Sequence, residues 1–177
     1  MTVMKTAAKT KWKELLILIT LGFVVAAFCG WVYEEICVRV KYGSFSHRGM
    51  LHIPLLPIYG FGAWGLAVLL RRVRSSAAFL LLSVLIASVF EYVCALLLEL
   101  IFHETFWTYA DWPLSFQDRI SLISSLIFGL LALIFVKAVI PFVRFLMKKM
   151  PQPLLLTVSV LLILLILADF IFVLLRK

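Results

Sequence analysis

Two carboxylates set deep in an apolar run are the first residues whose type and position could do chemistry. Glu91 lies about 14 residues into the run Ala77–Phe102, and Glu99 follows eight residues later. At roughly 100° per residue, eight positions turn about 80° around a helix, so both acids can border one cavity. An ionised carboxylate at the centre of a membrane span costs at least ~2.5–3.5 kcal/mol on insertion scales. Glu91 must therefore be paired, protonated or facing water, and its candidate cationic partners are Arg48 and Arg119. Three roles stay open for these acids: a salt bridge between helices, a substrate or ion site, or exposure at a helix end. Glu34 ends the first apolar run beside Glu35, and Asp169 stands eight residues before the last residue. The connection Phe106-Trp107-Thr108-Tyr109-Ala110-Asp111-Trp112-Pro113 is dense in aromatic rings. It reads either as an interfacial aromatic belt or as a structured lid, with Asp111 capping or pairing with a base.

Other motifs carry less. Gly60-Phe61-Gly62-Ala63-Trp64-Gly65 fits G-x-G-x-x-G, but no strand precedes it and it lies in an apolar run. Close helix packing through small residues is the better account. No G-x-x-x-x-G-K-[ST] occurs, so the chain is not itself a P-loop ATPase, and no nucleophile elbow is present. His47, His52 and the His103-Glu104 pair have no metal-site spacing, and Cys29, Cys37 and Cys94 fit neither a disulfide framework nor a zinc site. No cofactor or metal is expected.

The elements that must position these residues are transmembrane helices. Of 177 residues, 64% are hydrophobic and 15% charged, with mean hydropathy +1.13. A soluble domain carries about 25% charged residues, so lipid must be the solvent for most of this chain. A net charge of +8 suggests nucleic acid, but the Lys and Arg sit in short clusters between apolar runs, as topology signals do. The fold class expected is an all-α integral membrane protein, one domain over 1–177, with five spans at about 14–38, 54–70, 77–102, 120–140 and 154–175. The second run is short and begins among Pro54, Pro57 and three glycines, so it is expected to be broken or re-entrant. The basic N-terminus followed by an apolar run resembles a signal peptide, but Phe28 stands where a cleavage site before Cys29 needs a small residue, and a retained span is expected. Eleven Lys and Arg, including Lys5–Lys13, Arg71–Arg74, Lys137 and Arg144–Lys149, fall on the N-terminal side of this topology, against six on the other. That puts the N-terminus in the cytoplasm and the C-terminus outside. Arg48, Glu91, Glu99, Arg119 and the aromatic connection then share the outer half, as do Glu34 and most of the remaining acids.

The order of residues resembles the CmpB-like bacterial family of ABC-transporter type IV permeases. The matching pieces are Gly30-Trp31 with Glu34, Gly43-Ser44-Phe45 leading to Arg48-Gly49 and Leu51, and Pro54 to Gly62 through Tyr59. Further on come Glu91-Tyr92, Glu99, Trp107, Tyr109, Asp111, Pro113, Arg119-Ile120, Ser125 and Gly129. The family pattern differs in having Trp-Trp-Asp-Tyr-Ser over Phe106–Ala110 and Gly where this chain has Asp118. The resemblance implies a small multi-pass protein of the bacterial cytoplasmic membrane, a permease or substrate-binding membrane subunit of a transporter, whose partners are membrane lipids and a separate ATPase or other membrane partner. Its polar-core candidates are Glu34, Arg48, Tyr59, Glu91, Glu99, Trp107, Tyr109, Asp111 and Arg119. Two other functions remain open: an enzyme acting on lipid or lipid-linked headgroups, with Glu91 or Glu99 as acid or base, and a structural or regulatory membrane subunit.

Overall fold

Long runs of Leu, Ile, Val and Phe without proline drive helix formation in lipid, where every backbone N–H and C=O must be satisfied internally. The computed structural model describes residues 2–43 and 49–176. The helices are α1 (Thr2–Tyr42), α2 (Pro57–Leu69), α3 (Ser76–Phe102), α4 (Leu122–Ile134) continuing through a π turn (Phe135–Val139) into α5 (Ile140–Lys149), and α6 (Gln152–Arg176). Two strands of two residues, β1 (Ser115–Phe116) and β2 (Ile120–Ser121), form a small antiparallel hairpin before α4. Counting α4–α5 as one, the described residues make five helices, of which four are long and apolar enough to cross a membrane: Lys11–Val40, Ser76–Phe102, Leu122–Lys149 and Gln152–Arg176. Large apolar side chains such as Leu81, Leu85, Leu100, Leu161 and Leu164 lie more than half exposed, a surface that only lipid covers without penalty.

The second run is helical over 13 residues, about 20 Å at 1.5 Å each against a hydrocarbon core of ~30 Å. Pro57, at the first helical position, sets its start. The fourth run also differs from its expected limits. Pro141 lacks an N–H and its ring crowds the carbonyl four residues back. The helix does not stop there, because the π turn Phe135–Val139 widens just ahead of the proline and carries it on to Lys149.

The chain divides into two compact units, Gly62–Lys137 and the pair Met1–Phe61 with Ala138–Lys177. In the unit Gly62–Lys137, α3 and α4 pack antiparallel through stripes of small residues. Buried Ser83, Ala87, Glu91 and Ala95 recur every fourth residue on α3, and Ser124, Ser125, Gly129 and Ala132 line the facing side of α4. Without large side chains between them the backbones come close, and dispersion with interhelical hydrogen bonds replaces the hydrophobic effect. Ser88 Oγ lies 2.6 Å from Ser125 Oγ. A Cβ on Gly129 would sit 2.6 Å from Val84 Cγ2 and 3.3 Å from the Leu80 carbonyl oxygen. Toward the other end of the pair, Leu66, Leu70, Phe79, Ala87 and Ala132 make an apolar core.

In the unit containing the termini, α1 packs against α5 and α6. The segment 49–56 is non-helical, yet lies beside the middle of α1, where Ala27 is fully buried with Leu51 and Leu55. Its polar backbone is taken up by protein. The Leu56 N–H donates to the Ala27 carbonyl at 3.1 Å. Asp169 Oδ2 on α6 accepts from the His52 N–H at 2.7 Å and the Ile53 N–H at 3.1 Å. The ring of Tyr59 covers Gly30 so closely that no Cβ fits there.

Candidate functional site

Glu91 belongs to the small-residue stripe of α3, so its side chain is directed at α4 and is only 3% exposed. Tyr109 Oη donates to Glu91 Oε1 at 2.6 Å, and Ser124 Oγ lies 3.3 Å from Glu91 Oε2. Ser124 is held in turn: its N–H donates to Ser121 Oγ while its Oγ approaches the Ser121 N–H, a reciprocal cap on α4. The connection 103–121 therefore supplies the close donor to the carboxylate, and the first turn of α4 brings up Ser124 Oγ, whose single proton is shared between Glu91 at 3.3 Å and the Ser121 carbonyl at 2.9 Å.

That connection is an ordered piece of structure. The Tyr109 N–H donates to the Asp118 carbonyl at 2.7 Å, and Trp107 Nε1 donates to the Arg119 carbonyl at 3.1 Å. Trp112 closes a turn on Tyr109 through its N–H and packs edge-on to its ring. Gln117 and Asp118 carry the hairpin loop at φ +48° and +57°, the left-handed region in which Asp is among the better-tolerated non-glycine residues. Arg119 Nη2 and Nε bind Glu99 Oε2 at 2.7 and 3.1 Å, about three-quarters buried on both sides. The hydrogen bonds to Glu99, outweighing desolvation, raise the Arg119 pKa above the usual guanidinium range, so it stays charged. Tyr92 Oη donates to Gln117 Oε1 at 2.7 Å. Three residues of α3 therefore anchor the connection: Glu91, Tyr92 and Glu99.

The antiparallel pairing of α3 and α4 separates charge along this unit. Arg71, Arg74 and Lys137 gather at one end, and Glu91, Glu99, Tyr109 and Arg119 at the other.

The unit with the termini holds a second polar group. Tyr59 Oη donates to Glu34 Oε1 at 3.0 Å. Asp169 Oδ1 meets His52 Nδ1 at 2.9 Å, with its other oxygen on the two backbone donors. Asp169 thus serves as the acceptor for a stretch of backbone that has left the helix, a role that could not be read from an acid eight residues from the C-terminus.

Of the candidates, Glu91 and Tyr109 meet directly, Glu99 meets Arg119, Trp107 reaches the Arg119 backbone, and Glu34 meets Tyr59. Arg119, one of two partners considered for Glu91, goes to Glu99 instead, and Arg48 lies outside the described residues. Asp111 sits exposed at the third position of the Tyr109–Trp112 turn. Sequence reasoning missed Ser121, Ser124, His52 and Gln117. The four-residue spacing Ser83-Ala87-Glu91-Ala95 was the available signal that Glu91 faces a neighbouring helix. Among the described residues no group of three His, Cys, Asp or Glu could hold a metal.

Four helices long and apolar enough to cross a membrane define a multi-pass α-helical membrane protein. A family model described as "Putative ABC-transporter type IV" matches residues 21–174, and the chain belongs to that family. No curated protein and no solved structure shows a significant match to it.

Proposed function

We propose that this chain is the membrane subunit of a transporter driven by a separate ATPase, with its solute site at the Glu91 end. The observation that carries the reading is the Glu91 carboxylate, 3% exposed within a span and held under an ordered connection by Tyr109 and Ser124. A buried acid in a membrane span marks a functional site by default. Family membership supports the transport class, and the sequence lacks a nucleotide-binding loop of its own. On the connection 103–121, whose Tyr109 reaches Glu91, the acids Glu104, Asp111 and Asp118 outnumber Arg119, which Glu99 already neutralises. The site therefore suits a cationic solute, with Tyr109 and Trp112 able to face the charge.

The topology that fits is five crossings of a bacterial cytoplasmic membrane with the N-terminus inside. The second crossing is broken: 49–56 descends beside α1 to the level of Ala27, and α2 continues toward Arg71. Non-helical backbone at that depth is tolerated because Asp169 and Ala27 satisfy it. Single cysteines at Thr108 and Arg72, in a background without the three native cysteines, test this. Thr108→Cys should react with an impermeant maleimide in intact cells and Arg72→Cys only after lysis; the reverse pattern sinks the topology.

Purification of the full chain from its native membrane in mild detergent tests the function. An ATPase should accompany it, with ATP hydrolysis that falls when Glu91→Gln is substituted. Purification to homogeneity with no ATPase and no hydrolysis would overturn the proposal. A structural subunit is the competing reading, favoured by the Glu99–Arg119 pair, in which two polar groups satisfy one another. It requires Glu91→Gln to alter stability while solute binding stays unchanged.

A further inference from the structure

The opposite end of the Gly62–Lys137 unit contains a cavity that the transport reading does not use. It has a volume of about 80 Å³ and is lined by Arg71, Arg74, Lys137, Ser75 and Ser76 over an apolar floor that includes Phe79. One water needs only ~10–15 Å³ of such volume, so a phosphate-sized group fits. Among the described residues no carboxylate pairs with any of the three cations, no acid lines the cavity, and none occupies the first turn of α3.

The helix adds further donors. Ser75 caps α3, its Oγ accepting the Ala78 N–H and its carbonyl the Phe79 N–H. The N–H groups of Ser76 and Ala77 have no intrahelical acceptor and lie at the positive end of a 27-residue helix. Lys137 reaches this level from the π turn of the neighbouring helix. Three cations from two separate elements thus converge with serine hydroxyls and free N–H groups on one small volume. Topology signals alone require the charges to be on the right side of the membrane, not gathered around a cavity.

We propose that this cavity binds a phosphate group, either the headgroup phosphate of an anionic lipid in the adjoining leaflet or a soluble phosphate. Arg71 and Arg74 fork onto its oxygens, Lys137 supplies a point charge, and the α3 N-terminus completes the donor set.

Thermal unfolding of the delipidated full-length protein in dodecylmaltoside tests this with two probes. One is inorganic phosphate against chloride at matched ionic strength; the other is mixed micelles of phosphatidylglycerol against phosphatidylcholine. Saturable stabilisation by at least one probe is expected. Arg74→Gln and Lys137→Gln should each weaken it about tenfold, the scale of one charged hydrogen bond. Arg72→Gln removes a charge from the same connection but outside the cavity, and should leave the affinity within twofold. Stabilisation by phosphatidylglycerol but not inorganic phosphate assigns the site to lipid; equal plateaus assign it to soluble phosphate. No stabilisation by either probe overturns the proposal, as does Arg72→Gln costing as much as Arg74→Gln. If Lys137→Gln does not fold, the Arg74–Arg72 comparison decides alone.

Discussion

Replacing Asp169 with Ala should loosen the non-helical segment 49–56 from α6. The carboxylate accepts the His52 and Ile53 N–H groups at 2.7 and 3.1 Å, and its side chain is only 10% exposed. Left without an acceptor, the part-buried Ile53 N–H costs about 1–3 kcal/mol and the exposed His52 N–H about 0.5–1.5 kcal/mol, so losing both costs ~1.5–4.5 kcal/mol. The His52 ring is half exposed and adds little. Alanine returns up to ~0.7 kcal/mol in helix propensity. The expected net loss is about 1–4 kcal/mol. Asp169→Asn keeps one carbonyl oxygen and should lose roughly half as much. Reversible unfolding in dodecylmaltoside titrated with dodecyl sulfate gives the free energies, and amide exchange at His52 and Ile53 reports the local opening. A loss under ~0.5 kcal/mol for Asp169→Ala, with both amides still protected, would refute the assignment of Asp169 as the acceptor for this segment.

Three further outcomes are open to the same assays. Tyr109→Phe removes the 2.6 Å bond to a buried carboxylate and should cost about 1.5–3 kcal/mol, the range for charged hydrogen bonds; a loss below 0.5 kcal/mol, about the size of a bland surface change, counts against the contact. Gly129→Val pushes a side chain into Val84 and the Leu80 carbonyl and should destabilise by about 1–3 kcal/mol through overpacking, measured by dodecyl sulfate unfolding; unchanged stability would mean α3 and α4 do not approach there. Asp118→Gly relieves a residue at φ +57° and should stabilise by up to ~1 kcal/mol, read as a higher Tm; a lower Tm would show that the Asp118 side chain matters more than its backbone.

The sequence was informative where one residue's solvent decides its fate. The apolar runs within α1, α3, α4 and α6 could be recognised as long helices because a membrane span needs about 20 residues and admits few charges. Pro54, Pro57 and the glycines marked the second run as irregular, and it proved to hold a 13-residue helix. The fourth run, expected over 120–140, continues to Lys149 because a π turn absorbs Pro141, an adjustment that depends on packing rather than on residue type. Partner choice was less visible. Charge alone offered Arg119 to Glu91, yet the hairpin directs that guanidinium to Glu99 and brings Tyr109 to Glu91 across 18 residues. Asp169 meets backbone donors 116 and 117 residues away, a pairing that no local pattern encodes.

Solute-dependent stabilisation of the purified full-length protein, wild type against Glu91→Gln, tests the proposed site most directly. At least one cationic solute should raise the wild-type Tm saturably, and the glutamine variant, still folded, should need at least about tenfold more of it, the scale of one charged interaction. Equal stabilisation of both proteins by every solute that binds would contradict a solute site at Glu91.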